Sequence, residues 1–213
     1  AQGEVVGNTC RNNGIDGIYA DEQSRLVARN NTCEGNTSSG IVLSGSAQGE
    51  VVGNICRNNS FGIAAAEQSR LVARNNTCEG NTYSGIVLYG SAQGEVVGNT
   101  CRNNSFGIRA FEQSRLVARN NTCEGNTSFG IVLSGSAQGE VVGNICRNNS
   151  FGIAAAEQSR LVARNNTCEG NKDTGIALFG SVQGEVEGNR CVNNRNYGIY
   201  VHERGVKAVL RNN

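Results

Sequence analysis

The sequence predicts an all-β fold: a right-handed parallel β-helix, or solenoid, of about nine coils with three short strands in each. Three observations predict it. A Gln-Gly-Glu-Val block returns at Gln2, Gln48, Gln93, Gln138 and Gln183, so the unit is 45–46 residues long. A cysteine returns twice in each unit, at Cys10, Cys33, Cys56, Cys78, Cys101, Cys123, Cys146, Cys168 and Cys191, and so halves it to 22–23 residues. Apolar residues alternate in runs too short for a helix.

The repeat comes first, because a fixed period decides the architecture. The stretch from Gly40 to Asn81 recurs unchanged from Gly130 to Asn171. Such identity means very recent duplication or design. The first unit carries its extra residue in Asn13-Gly14-Ile15-Asp16-Gly17. Around every cysteine stands N-x-C-x-x-N, from Asn8 and Asn13 to Asn189 and Asn194, and six or seven residues after it comes Gly-Ile. A coil this short has no room for paired helices, and Leu is too sparse for a leucine-rich repeat. The strands are Arg25–Arg29, Asn31–Glu34 and Gly40–Leu43 and their copies. Stacked at about 4.8 Å, each strand pairs with its equivalents above and below. The whole chain, 1–213, is expected to form one domain of paired-coil repeats.

Composition agrees. Gly (29 residues) and abundant Asn tolerate the left-handed backbone of tight turns, and Pro, Met and Trp are absent. A net charge of +1 gives no long-range field for nucleic acid or an anionic membrane. No apolar run approaches the roughly 20 residues of a membrane span. No Met opens the chain, so a trimmed, processed or engineered segment is expected.

Period-two alternation assigns the core. Leu26 and Ala28, Cys33, Ile41 and Leu43 face inward in one coil. Gly49 and Val51, Cys56, Ile63 and Ala65 face inward in the next, so bulk meets smallness along the tube. Two Asn columns, Asn8 to Asn189 and Asn13 to Asn194, are expected to form side-chain hydrogen-bond ladders. The cysteines read as buried free thiols. Parallel neighbours one rung apart are too distant for a disulfide, and a linear column cannot build a zinc tetrahedron. No cofactor or metal is expected.

The segment Gly53-Asn54-Ile55-Cys56-Arg57-Asn58-Asn59 with Gly62-Ile63, and its copies, resembles the repeat of the pectin-lyase-like superfamily. Similar repeats occur in the periplasmic nitrous-oxide-reductase maturation proteins and the alginate epimerases. The resemblance spans essentially the whole chain. It implies the fold, and an extracellular or periplasmic setting, but not one activity, because catalytic and scaffold members share the repeat. Lyases of this kind cluster acidic residues for calcium beside an Arg or Lys base; hydrolases pair carboxylates; epimerases gather Asp, His and Tyr or Arg.

Departures from repetition are therefore where catalysis would lie. Asp16, Asp21 and Glu22 mark the first coil. Lys172, Asp173, Arg190, Arg195, Tyr197, Tyr200, His202, Glu203 and Arg204 mark the last two. This second group reads as end-cap chemistry. Outward of the core, Arg11, Glu34, Arg57, Glu79, Arg102, Glu124, Arg147 and Glu169 alternate in sign. Arg29, Arg74, Arg119 and Arg164 lie diagonal to Glu4, Glu50, Glu95, Glu140 and Glu185. Both patterns set register. Phe61, Phe106 and Phe151 recur before Gly-Ile, two rungs apart, and are the candidate glycan-contacting residues. They equally suit shielding of the core. An ice-binding face is argued against: its Thr column is broken by Ile55, Ile145 and Arg190 and flanked by charge.

The expected function is a non-catalytic repeat scaffold. The alternatives are a polysaccharide-binding module through the Phe column, and a lyase or epimerase relative dependent on a residue such as His202 or Asp173. Expected partners are a polysaccharide or, by weak end-to-end association through open strand edges, a second copy; nucleic acid and membrane are not expected.

Overall fold

The computed structural model describes residues 1–202 and 205–213. The chain winds as a parallel β-solenoid. The first coil comprises β1 (Gln2–Val6), β2 (Thr9–Arg11) and β3 (Ile18–Ala20). The pattern continues to β25 (Gln183–Glu187), β26 (Arg190–Val192), β27 (Tyr197–His202) and β28 (Lys207–Arg211). Three parallel sheets result. Sheet A takes every strand equivalent to β1 and has ten strands, because β28 starts a tenth coil. Sheets B and C take the equivalents of β2 and β3 and have nine strands each.

Register is strict. Cys33 stands opposite Cys56, Cys78 opposite Cys101, and Ile63 between Ile41 and Ile86. The expected inward residues form one continuous core from Ile18 to Val186. The bulk alternation has a specific form: Leu43 at the end of one coil fills the space over Gly49 of the next, where a Cβ would lie 2.6 Å from Leu43 Cδ1. The cysteines are free thiols, buried from Cys33 to Cys168 and half-buried at Cys10 and Cys191.

Both Asn ladders form, with a fixed direction. Asn76 Nδ2 donates to Asn99 Oδ1 on the next coil at 2.9 Å and to Val51 O at 2.8 Å, and the Asn76 backbone N–H donates to the same Asn99 oxygen at 2.9 Å. Asn81 repeats this with Asn104 and Cys56 O. Each buried amide is thus satisfied by its neighbours, as burial of polar groups requires. Beside the first ladder a second corner column alternates Asn and Gly in the left-handed region, with Asn30 at φ 54° and Gly53 at φ 65°. Gly53 has a steric reason: Asn30 Oδ1 lies 2.6 Å from where a Cβ would stand.

Candidate functional site

A solenoid with a filled core offers function only on its outer faces, and the three faces differ. On sheet B the alternating column zips into ion pairs. Arg57 and Arg11 reach Glu34 at 3.0 and 3.2 Å, Arg102 reaches Glu79 at 2.8 Å, and Arg147 reaches Glu124 at 2.9 Å. The hydrogen bond from Arg57, with its charge, holds the Glu34 carboxyl below the usual carboxylate range. A carboxylate held ionised in this way cannot serve as a general acid near neutrality.

On sheet A the diagonal pairs also form. Arg74 meets Glu95 at 3.1 Å, Arg119 meets Glu140 at 3.1 Å, and Arg164 meets Glu185 at 2.7 Å. Arg164 likewise lowers the Glu185 proton affinity through its hydrogen bond.

Sheet C carries the aromatic residues. Phe61, Phe106 and Phe151 sit at equivalent positions, and Phe129 occupies the rung between the last two. Phe106, Phe129 and Phe151 therefore form an unbroken stack, with centroids 5.8 and 5.1 Å apart and planes within 5° and 19° of parallel. Phe179 and then Tyr200 continue it edge-on. Phe61 stacks with Tyr83 at 5.4 Å, and Tyr89 with Phe111 at 5.5 Å. The Phe106–Phe151 stack packs over Val132, Ala154 and Ala177, forming a second apolar layer outside the sheet. The Arg109 guanidinium lies 4.9 Å from the Phe106 ring and 4.4 Å from the Phe111 ring, a cation–π contact on both sides. Burial there lowers its proton affinity, an effect that Glu157 opposes. The stacked rings turn their faces to one another, so what remains outward is mainly edge.

Of the irregular residues of the last coils, three come together on one strand. Tyr197, Tyr200 and His202 line β27, where Tyr197 stacks on Tyr200 at 4.8 Å and Tyr200 Oη meets His202 Nδ1 at 2.9 Å. Asp173 Oδ1 instead accepts from Thr174 Oγ1 at 2.8 Å. Arg190 faces Glu169 at 3.8 Å on sheet B. In the first coil, Asp16 Oδ1 accepts the Ser39 backbone N–H at 2.7 Å. Glu203 and Arg204 lie outside the described residues. Among the described residues no group of three His, Cys, Asp or Glu could hold a metal ion, and no helix is long and apolar enough to cross a membrane. Within the cysteine column, S–H···S contacts to Cys101 and Cys56, reinforced by burial, push the Cys78 thiol well up. Sealed from solvent, it packs as a small apolar side chain.

The sequence profile described as "Right handed beta helix region" matches residues 1–145 and 105–213, which together span the chain. Comparison with curated proteins finds no match. Among solved structures, a single-substitution variant of the periplasmic alginate epimerase AlgG superposes with a TM-score of 0.77 at 18% identity, covering 89% of this chain and 50% of that one. A doubly substituted variant gives 0.69 at 13% identity over 97% and 69%. Unsubstituted AlgG gives 0.62 at 12% over 97% and 74%. At such identities the likeness shows the fold, and the chain spans about half the length of the first of these structures.

Proposed function

Since the chain belongs to the right-handed β-helix family, we propose that it is a non-catalytic solenoid scaffold, a rigid rod whose outer faces repeat every two coils. The observation that carries this reading is the commitment of the carboxylates that recur along sheets A and B. Glu34, Glu79 and Glu124 on sheet B and Glu95, Glu140 and Glu185 on sheet A are each tied to an arginine. Glu112 and Glu157 accept the backbone N–H groups of Gly90 and Gly135 at 2.6 and 2.7 Å. The test is incubation with neutral and acidic polysaccharides while following unsaturated product, new reducing ends and epimerised sugar. No product is expected. Turnover lost on His202→Ala or Asp173→Asn would replace the scaffold with a lyase or epimerase.

Polysaccharide binding is the second reading, and the aromatic stack favours it. Phe61, Phe106 and Phe151 are half-buried, leaving ring edges and the flanking Tyr83 at the surface. The likeness to a periplasmic alginate epimerase supports a carbohydrate ligand and an extracellular or periplasmic setting. Replacing all three Phe by Ala should weaken retention on a neutral glycan gel; unchanged retention would remove this site.

A further inference from the structure

Sheet A holds a second file of arginines that the ion pairs leave over. Arg25, Arg70, Arg115 and Arg160 occupy one column, are exposed, and make no ion pair among the described residues, whereas the arginine four positions on in each strand is bound to a glutamate. Lys207 continues the column. Every intervening rung places a glutamine there: Gln48 pairs with both Arg25 and Arg70, and Gln138 with both Arg115 and Arg160. The free cations therefore recur about every 10 Å, two strand spacings of about 4.8 Å.

Along this column the surface carries shallow depressions between three of the pairs of successive cations. One depression of about 450 Å³ is bordered by Arg25 and Arg70 with Gln48 and Glu50 between them. Another of about 380 Å³ has Arg115, Gln138, Glu140 and Arg160. A third of about 510 Å³ has Arg160, Gln183, Glu185 and Lys207. From this we infer that sheet A binds a linear acidic polysaccharide in which carboxylated and uncharged sugars alternate.

The chemistry follows the column. Two pyranose residues of an extended chain span about the distance between successive free arginines. Each guanidinium then takes one carboxylate, for which its planar fork is suited. The intervening sugar stands over a glutamine, whose amide both donates to and accepts from hydroxyl groups. A carboxylate on that intervening sugar would find no free cation: the rung offers a neutral glutamine and a glutamate already paired with its own arginine. A polymer charged on every sugar is therefore bound more weakly, because half of its carboxylates lose water without gaining a cation. Single exposed ion pairs are weak, but several in a row along one rigid rod act as a multivalent set. The inference is independent of the aromatic stack on sheet C and of any turnover.

The test is affinity electrophoresis in gels containing hyaluronan, which alternates a uronate with an uncharged amino sugar. Polygalacturonate and dextran gels serve as comparisons. Retardation by hyaluronan at low salt is expected, with less by polygalacturonate, none by dextran, and loss of the effect as salt screens the contacts. The triple variant Arg70→Gln, Arg115→Gln, Arg160→Gln extends a side chain that the column already carries, so it should keep the wild-type melting transition. Its affinity should fall at least about tenfold. Arg57→Gln on sheet B and the Phe→Ala variants on sheet C should bind like wild type. No retardation by hyaluronan, stronger retardation by polygalacturonate, or a triple variant that binds like wild type would each overturn the inference. None of these results bears on whether the chain turns over substrate.

Discussion

At the scale of single residues, the fold rests on amides and small side chains in columns. Asn76 donates to Val51 O and Asn99 Oδ1, and its own Oδ1 accepts from Asn54. Asn76→Ala leaves those buried groups without partners. It should cost on the order of 3 kcal/mol, read as a lower urea midpoint. A serine offers the opposite case. Ser69 Oγ is buried with no hydrogen-bond partner, and the equivalent turn positions one rung away are Ala47 and Ala92. Ser69→Ala should therefore be neutral or stabilising by up to about 1 kcal/mol in the same measurement. Much at this scale was legible in the sequence. Inward Leu26, Cys33, Ile41 and Val51 followed from alternation, and both Asn columns from their spacing. The direction of the ladders was not legible, because which amide donates depends on how each side chain and its backbone N–H are turned once the coils are stacked, and not on residue identity. Nor was the contact of Asn30 with Gly53, which arises only once two coils are stacked.

Between strands, charge sets the register. Arg164 holds Glu185 ionised to lower pH than an unfolded chain would, so the pair contributes stability above the ordinary glutamate pKa, and the contribution is lost as pH falls through the depressed value. The melting temperature of the native protein should thus be level from neutrality to about pH 5 and decline below it. Arg164→Gln should lower the melting temperature modestly at pH 7, converge with the wild type in acid and so make the decline shallower, and a steeper acid decline in the variant would refute the linkage. The aromatic stack shows where strand-level reading falls short. Phe61, Phe106 and Phe151 announce themselves by recurring every 45 residues. Phe129 breaks the repeat: its equivalents are Ser39 and Ser84, so periodicity hides it. Only the stacked coil shows it closing the gap between two phenylalanines. The free Arg file was equally present in the sequence. It became visible only after the neighbouring arginines had been assigned to Glu50, Glu95, Glu140 and Glu185.

For the molecule as a whole, the paired coil is the unit of construction. Large and small core residues, opposite charges, and Arg and Gln on sheet A all alternate from one coil to the next, so the pattern closes only over two. Among the described residues β1 and β28 are the outermost strands of sheet A, and if edge strands pair between two copies of this chain, a concentration-dependent rise in sedimentation coefficient is expected. A strict monomer at high concentration would exclude it. Fold, repeat and core were legible at this scale, because a fixed period constrains everything at once. Function was not, because near-identical rungs mark no unique place.

The most direct test of this account compares two deletions. Removing residues 93–137 joins Ala92 to Gln138 and takes out one whole unit. Removing 93–114 joins Ala92 to Arg115 and takes out half of one, which sets Leu71 against Leu116 and Glu79 against Glu124. The measurement is the urea unfolding midpoint of each. A midpoint near wild type for the first and a markedly lower one for the second would support the paired coil as the unit. Equal midpoints for the two deletions would contradict it.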